Sequence, residues 1–243
     1  MDVAALAGVA VALVVASSAQ AVTGFGFALL AMPLLSLAVG AKDAVAVSSL
    51  VGTLGSTLLL ARYRHQVRWS LVRPLLAGAV VGMPLGLYVL VVVDEQTLKL
   101  AIAATVLVFV AIVASGWKLE GTGRVVDLAA GFISGVLNTS VSTNGPPLVL
   151  SLHARNLDPD AFRGTISAVF AASAVVGDVL FASAGRYNPT VLLYAAVGPF
   201  ALVVGHVVGR VVGPHLTVRR FRASVLGLLV LASCSAVASV IAG

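Results

Sequence analysis

The sequence predicts an all-α polytopic membrane protein built of two inverted-topology repeats, with about eight to ten membrane segments that include two Gly-interrupted helix pairs. Three observations predict it. The 243 residues are 60% hydrophobic and only 10% charged, with a mean hydropathy of +1.09, whereas a soluble domain is about 25% charged. The few charges stand between long runs that carry none. The basic loops also change place between the first half and the second.

This composition excludes a typical cytosolic enzyme, a disordered tail and a disulfide scaffold. In water it would leave apolar patches larger than a few hundred Å². The net charge of +6 and pI of about 10.1 would point to nucleic acid in a soluble protein. Here the Lys and Arg residues sit in short loops, so the positive-inside rule accounts for them and no nucleic-acid partner is expected. Cys234 is alone and the four His are scattered, so neither a disulfide, a metal site nor a cofactor is expected.

The elements follow from the charge-free runs. Val3 to Ala41 carries no Asp, Glu, Lys or Arg and divides at Gly24-Phe25-Gly26 into segments at 3–22 and 25–39. Segments at 43–61, 71–93 and 97–117 complete the first set. A second set follows at 125–139, 145–156, 160–184, 190–213 and 221–242. A spanning helix needs about 20 apolar residues. Only helices satisfy every backbone group within such a run, and barrel strands would alternate apolar with polar. Ala19-Gln20-Ala21 resembles a signal-peptidase site, but Met1-Asp2 supplies no basic n-region, so a retained first helix is expected.

Each set opens with an interrupted pair whose second member is short, and three longer segments follow. The domains are therefore a first repeat at 1–117, a linker at 118–124 and a second repeat at 125–243. Gly78, Gly82 and Gly86 in one half, and Gly205, Gly209 and Gly213 in the other, form small-residue faces that let helices approach closely in lipid. The loop after the third segment carries Arg62, Arg64, Arg68 and Arg73, and its counterpart only Arg186. The loop after the fourth carries Asp94 and Glu95, and its counterpart Arg210, Arg219, Arg220 and Arg222. Corresponding loops then lie on opposite sides, which is the signature of inverted repeats. The linker is expected in the cytoplasm and both termini away from it.

The two interruptions are the expected substrate site. Non-helical backbone at membrane depth is tolerated only where it is buried in protein or lines a cavity, and a helix that starts there offers free N–H groups and a partial positive charge to an anion. Gln20, Thr23, Gly24, Phe25 and Gly26 belong to the first interruption. Asn138, Ser142, Thr143, Asn144 and Gly145 belong to the second, with Pro146 suited to a first helical turn. Arg163 is the cation expected to attract the anion. Asp178 and His206, inside apolar runs, are the candidates for proton coupling. Ser48, Ser49, Thr53, Ser56 and Thr57 form a polar stripe on the third segment, with no single member singled out. Nucleotide-driven transport is disfavoured, because no phosphate-binding loop and no soluble domain is visible.

These residues resemble a known family. Gly24-Phe25-Gly26-Phe27 followed by Pro33-Leu34-Leu35 looks like the first signature of the TauE/SafE sulfite-exporter family. Gly131-Phe132-Ile133-Ser134-Gly135, Thr143-Asn144-Gly145-Pro146-Pro147-Leu148 and Phe162-Arg163-Gly164-Thr165 resemble its second. The family's second loop is usually richer in glycine; here Asn138, Ser142 and Asn144 make it more polar. The resemblance implies a transporter of small sulfur-containing or organic anions, often an exporter, in the bacterial inner membrane. The expected function is thus secondary transport of sulfite, an organosulfonate or a small carboxylate, with no enzymatic activity, and with protons and the lipid bilayer as further partners. A passive anion channel, or a membrane enzyme or assembly subunit, are the rival readings.

Overall fold

Helices form wherever the charge-free runs lie. The computed structural model describes residues 3–23, 25–115, 121–212 and 218–241. Among them are α1 (Val3–Thr23), α2 (Phe27–Ala38), α3 (Ala41–Tyr63), α4 (Trp69–Val92), α5 (Glu95–Ser115), α6 (Arg124–Val141), α7 (Gly145–His153), α8 (Pro159–Ser183), α9 (Pro189–Ala196), α10 (Gly198–Val212) and α11 (Val218–Ile241), and no strand. A 3₁₀ turn at Arg64–Gln66 follows α3. Six stretches are long and apolar enough to cross a membrane, and the last, Pro189–Val211, runs through α9 and α10. The chain is a multi-pass all-α membrane protein.

Helix boundaries have local causes. Asp158 caps α8 by accepting from the Ala161 N–H at 2.9 Å, and Asn188 caps α9 by accepting from Val191 N–H at 2.8 Å. Each satisfies one of the unpaired N–H groups of a helix start, and Pro159 and Pro189 follow where a missing N–H costs nothing. At 12 and nine residues, α2 and α7 are about 18 and 14 Å long, too short to cross a bilayer.

Both short helices return toward the side from which their partner entered. A Cβ on Gly8, early in α1, would stand 3.0 Å from the Ala38 Cβ at the end of α2. At the second pair, Ser151 on α7 donates to Asp127 on α6 at 2.7 Å. Arg155 closes the same junction with bonds to Asp127 at 2.6 Å and to the Gly123 carbonyl at 3.3 Å. Each pair is a helical hairpin whose two outer ends lie together at one end of the bundle. Loop sidedness is the same for a spanning and a returning pair, which is why charge alone leaves the two open.

The two hairpins enter from opposite ends of the bundle. The first leads into the start of α3, where Lys42 donates to the Val91 carbonyl at 3.2 Å, Glu95 accepts from Ala41 N–H, and Asn188 meets Asp43 at 3.5 Å. The second leads through residues 154–158 into the start of α8. There Thr165 accepts from Arg68 N–H at 3.0 Å, and Gly164 lies against the Tyr63 carbonyl, which a Cβ would approach to 2.7 Å.

Packing is densest where glycines let backbones touch. Cβ atoms built on Gly78, Gly82 and Gly86 of α4 would strike the carbonyls of Leu128, Phe132 and Val136 on α6, and those on Gly131 and Gly135 of α6 would strike Leu75 and Ala79 on α4. On α10, Gly205 and Gly209 receive Ser17, Ser18 and Ala21 of α1 in the same way. Lipid provides no hydrophobic force between helices, so this close contact is what holds the pairs. Helices α3 and α8 pack together, and so do α5 and α11.

Candidate functional site

The first interruption is a sharp corner at Gly26, whose φ of 89° is left-handed and costs glycine nothing. No side chain caps α2. The N–H of Leu30 bonds the Gly26 carbonyl at 3.2 Å, which leaves those of Phe27, Ala28 and Leu29 as the open helix end. Gly24 and the side chain of Thr23, both expected here, lie outside the described residues.

The second interruption turns on Ser142, at φ 53°, and restarts at Gly145 with Pro146 in the first turn. Ser134 donates to the Asn144 carbonyl at 2.9 Å and so ties the loop back to its own helix. Ser142 and Ser48 share a hydrogen bond of 3.2 Å that ties the loop to α3.

The two corners meet at one cavity of about 50 Å³, room for roughly three to five waters. Gln20, Gly26, Phe27, Ala28 and Leu29 come from the first hairpin, and Asn138, Ser142, Asn144 and Gly145 from the second. Between them α3 contributes Ser48, Ser49, Gly52 and Ser56, and α8 contributes Phe170 and Ala174. Six expected residues therefore line one cavity: Gln20, Gly26, Asn138, Ser142, Asn144 and Gly145. Three others stand outside it. Phe25 packs edge-on against Phe162, with ring centroids 6.0 Å apart. Thr143 is fully buried with its hydroxyl unpartnered. Arg163 reaches from α8 to the Val22 carbonyl at 3.3 Å and stacks over Tyr63 at 5.8 Å. It closes the end of α1 rather than lining the cavity.

Asp178 stands one hydroxyl behind the wall. Its carboxylate accepts from Ser49 at 2.6 Å, Thr53 at 2.7 Å and Tyr187 at 2.7 Å. Tyr187 lies in the loop between α8 and α9. Burial, followed by its bond to Asp178, pushes its phenol well above the ordinary range. His206 is elsewhere: its Nδ1 lies 2.8 Å from the Leu202 carbonyl, one turn back on α10.

One group was read only in part from the sequence, and one was missed. The Ser48, Ser49 and Ser56 stripe was visible, but only the fold shows which of its members face the cavity. The ion pair of buried Asp127 with half-buried Arg155, at 2.6 Å, links positions 28 residues apart. Asp127 falls at the start of the segment expected at 125–139, and nothing in the sequence marks its partner.

Comparison with curated proteins found no match, and comparison with solved structures found none. Residues 9–236 match the family described as Sulfite exporter TauE/SafE, nearly the whole chain and both hairpins with it. With two interrupted helices converging on a small cavity inside a multi-pass helical bundle, the chain belongs to the TauE/SafE sulfite exporter family.

Proposed function

We propose that this protein is a secondary exporter of a small oxyanion, sulfite, an organosulfonate or a small carboxylate, which binds in the cavity between the two hairpin tips. The observation that carries the reading is the meeting of both interruptions at one cavity of about 50 Å³. The open N-terminus of α2 supplies backbone donors and a partial positive charge. The amide of Asn144 and the hydroxyl of Ser48, which accepts from Ser142 and keeps its own proton, line the same cavity.

In this reading the halves are inverted repeats, 1–117 and 125–243, and each hairpin, together with the helix of the other half packed on it, rocks about the shared site to expose it to each side in turn. Hairpins that enter from opposite ends support it, as does the reciprocal packing of α4 on α6 and α1 on α10. The positive-inside rule puts the Arg62–Arg73 loop in the cytoplasm, and hence both termini outside it. Asp178 is the carboxylate best placed for proton coupling, since Ser49 both lines the cavity and bonds it. Ser49, Thr53 and Tyr187 face it, and Tyr187 is the titratable one. Arg163 acts on the site through the end of α1.

The test is flux of labelled sulfite, methanesulfonate and acetate in liposomes holding the purified protein. Saturable flux of at least one is expected. Absence of flux for all three overturns the reading.

A further inference from the structure

Tyr187 is held against Asp178 by the way α8 ends. Gly185 has a left-handed φ of 66°. Its N–H bonds the Ala182 carbonyl at 3.1 Å, and the Arg186 N–H bonds the Phe181 carbonyl at 2.9 Å. This ending turns the chain back along the helix it has just left. Tyr187 then packs edge-on against Phe181, with ring centroids 6.3 Å apart, and its hydroxyl donates to Asp178 at 2.7 Å. Tyr187 is half-buried, while Gly185, Asn188 and Pro189 beside it are exposed. The phenol therefore links the loop surface to a carboxylate inside an apolar run, where an ionisable group is costly.

Two hydroxyls meet on one oxygen of that carboxylate. Tyr187 and Ser49 both donate to Oδ1, and Thr53 holds Oδ2. Ser49 also lines the cavity. Oδ1 is thus one hydrogen bond from the loop and one from the cavity, and a proton can pass between them without the carboxyl turning. The three partners are hydroxyls, and the charged groups of the elements packed against α8 stand elsewhere. On α3, Lys42 and Asp43 lie at the start, bonded to the Val91 carbonyl and to Asn188, and Arg62 lies at the far end. Those of the 3₁₀ turn, α4, α6 and α7 (Arg64, His65, Arg73, Arg124, Asp127 and His153) belong to the opposite end of α8, where Thr165 meets Arg68. Asp160 and Arg163 lie there on α8 itself, and Arg186 flanks Tyr187 in the loop. Burial and then the Asp178 bond hold the Tyr187 phenol well above the ordinary range, so it hands on one proton only as it takes another.

We infer that Tyr187 is the outer terminal of a proton path that loads Asp178 from the α8–α9 loop, with the cavity, reached through Ser49, as its inner outlet. The inference rests on the exporter reading above and adds the route and direction of the proton. In loading, Tyr187 gives its proton to Asp178 Oδ1 and takes one from hydronium in the loop-side solvent. In unloading, Asp178 gives that proton to Ser49 Oγ while Ser49 passes its own to a water in the cavity. Both hydroxyls end as they began, and the net change is one proton moved. The α8–α9 loop lies at the end of α8 away from the Arg62–Arg73 loop, which the positive-inside rule puts in the cytoplasm. The proton therefore enters from outside, against the direction of export.

The test uses the full chain in liposomes, with labelled sulfite, methanesulfonate and acetate and two readouts. One is flux driven by an imposed pH gradient. The other is exchange against unlabelled anion at equal pH, which needs no net proton movement. Wild-type protein should show both. In Tyr187→Phe, gradient-driven flux should fall about 100-fold further than exchange, the lower end of what a positioned proton-transfer group contributes. Equal loss of both, or loss of neither, overturns the inference, since a merely structural Tyr187 would move them together. Tyr187→Cys, made together with Cys234→Ser, gives an independent readout: a membrane-impermeant thiol reagent should label it from the side opposite the Arg62–Arg73 loop. No labelling, or labelling from the cytoplasmic side alone, overturns the inference even where the Phe variant fails to fold. Wild-type flux that ignores the pH gradient, whether or not it follows a sodium gradient, removes the proton path and leaves the exporter standing. Absence of both driven flux and exchange for all three anions removes the exporter reading itself.

Discussion

Adding one methyl group at each hairpin corner separates backbone strain from occupancy of the cavity. Gly145 has no left-handed φ, and a Cβ there would lie 3.8 Å from Phe170 and 3.9 Å from Leu29, both cavity walls and both at ordinary contact distance. Gly145→Ala therefore meets no clash, and restricting the unfolded chain should stabilise the protein by about 0.4–1 kcal/mol. The methyl projects into a space of about 50 Å³, of which a body the size of one water takes roughly a quarter. Overpacking of about 1–3 kcal/mol corresponds to an affinity loss of about 5- to 150-fold. At Gly26 a Cβ would meet nothing within 4 Å, but φ is +89°, so Gly26→Ala should cost about 1–2 kcal/mol of stability and also reduce binding. Stability is read from unfolding in mixed micelles, and function from sulfite binding and flux. Stability should move in opposite directions in the two variants while transport falls in both. Gly145→Ala with wild-type affinity and flux would refute placement of the substrate between the hairpin tips.

Four further outcomes are expected. Gly135→Ala drives a Cβ into the Ala79 carbonyl and should abolish the folded monodisperse peak in size-exclusion chromatography, whereas Gly227→Ala, with nothing within 4 Å, should leave it unchanged. Arg155→Met strands Asp127, which is 3% exposed, and should cost about 3–5 kcal/mol in unfolding measurements; adding Asp127→Asn should recover much of that loss. Asp178→Asn should flatten the pH dependence of flux in liposomes, and an unchanged profile would remove Asp178 from coupling. Tyr187 has its folded pKa raised by burial and then by Asp178, so its contribution to stability is complete below the ordinary phenol range and is lost as pH rises beyond it. Tyr187→Phe should remove that part of the alkaline loss in a pH–stability curve.

Ten segment positions were legible because a charge is so costly in lipid that its absence outlines each helix. The observed ends fall within a few residues of the charge-free runs: the third segment expected at 43–61 is Ala41–Tyr63, and the eighth at 160–184 is Pro159–Ser183. The corners were legible too, since Gly26 and the Ser142–Pro147 stretch break a helix by local chemistry alone. What touches what was not. The spacing of Gly78, Gly82 and Gly86 announces a close contact but not that Gly131 and Gly135 interlock with it. Arg163 illustrates the same limit: its residue type fits an anion, yet the side chain bonds the Val22 carbonyl, a partner 141 positions away that no motif encodes.

The interlocked glycines have a mechanical consequence. Backbones that meet with no side chains between them cannot slide without unpacking, so α4 and the α6–α7 hairpin form one packed unit. Close contact at Gly205 and Gly209 likewise binds α10 to the α1–α2 hairpin. Each rigid body is thus a chimera, the hairpin of one sequence half carried on a helix of the other. In the alternating-access reading proposed above, the bodies that move are therefore not the two sequence halves. Severing the chain in its central linker would divide both bodies at once, and each fragment would hold a hairpin without the helix that grips it.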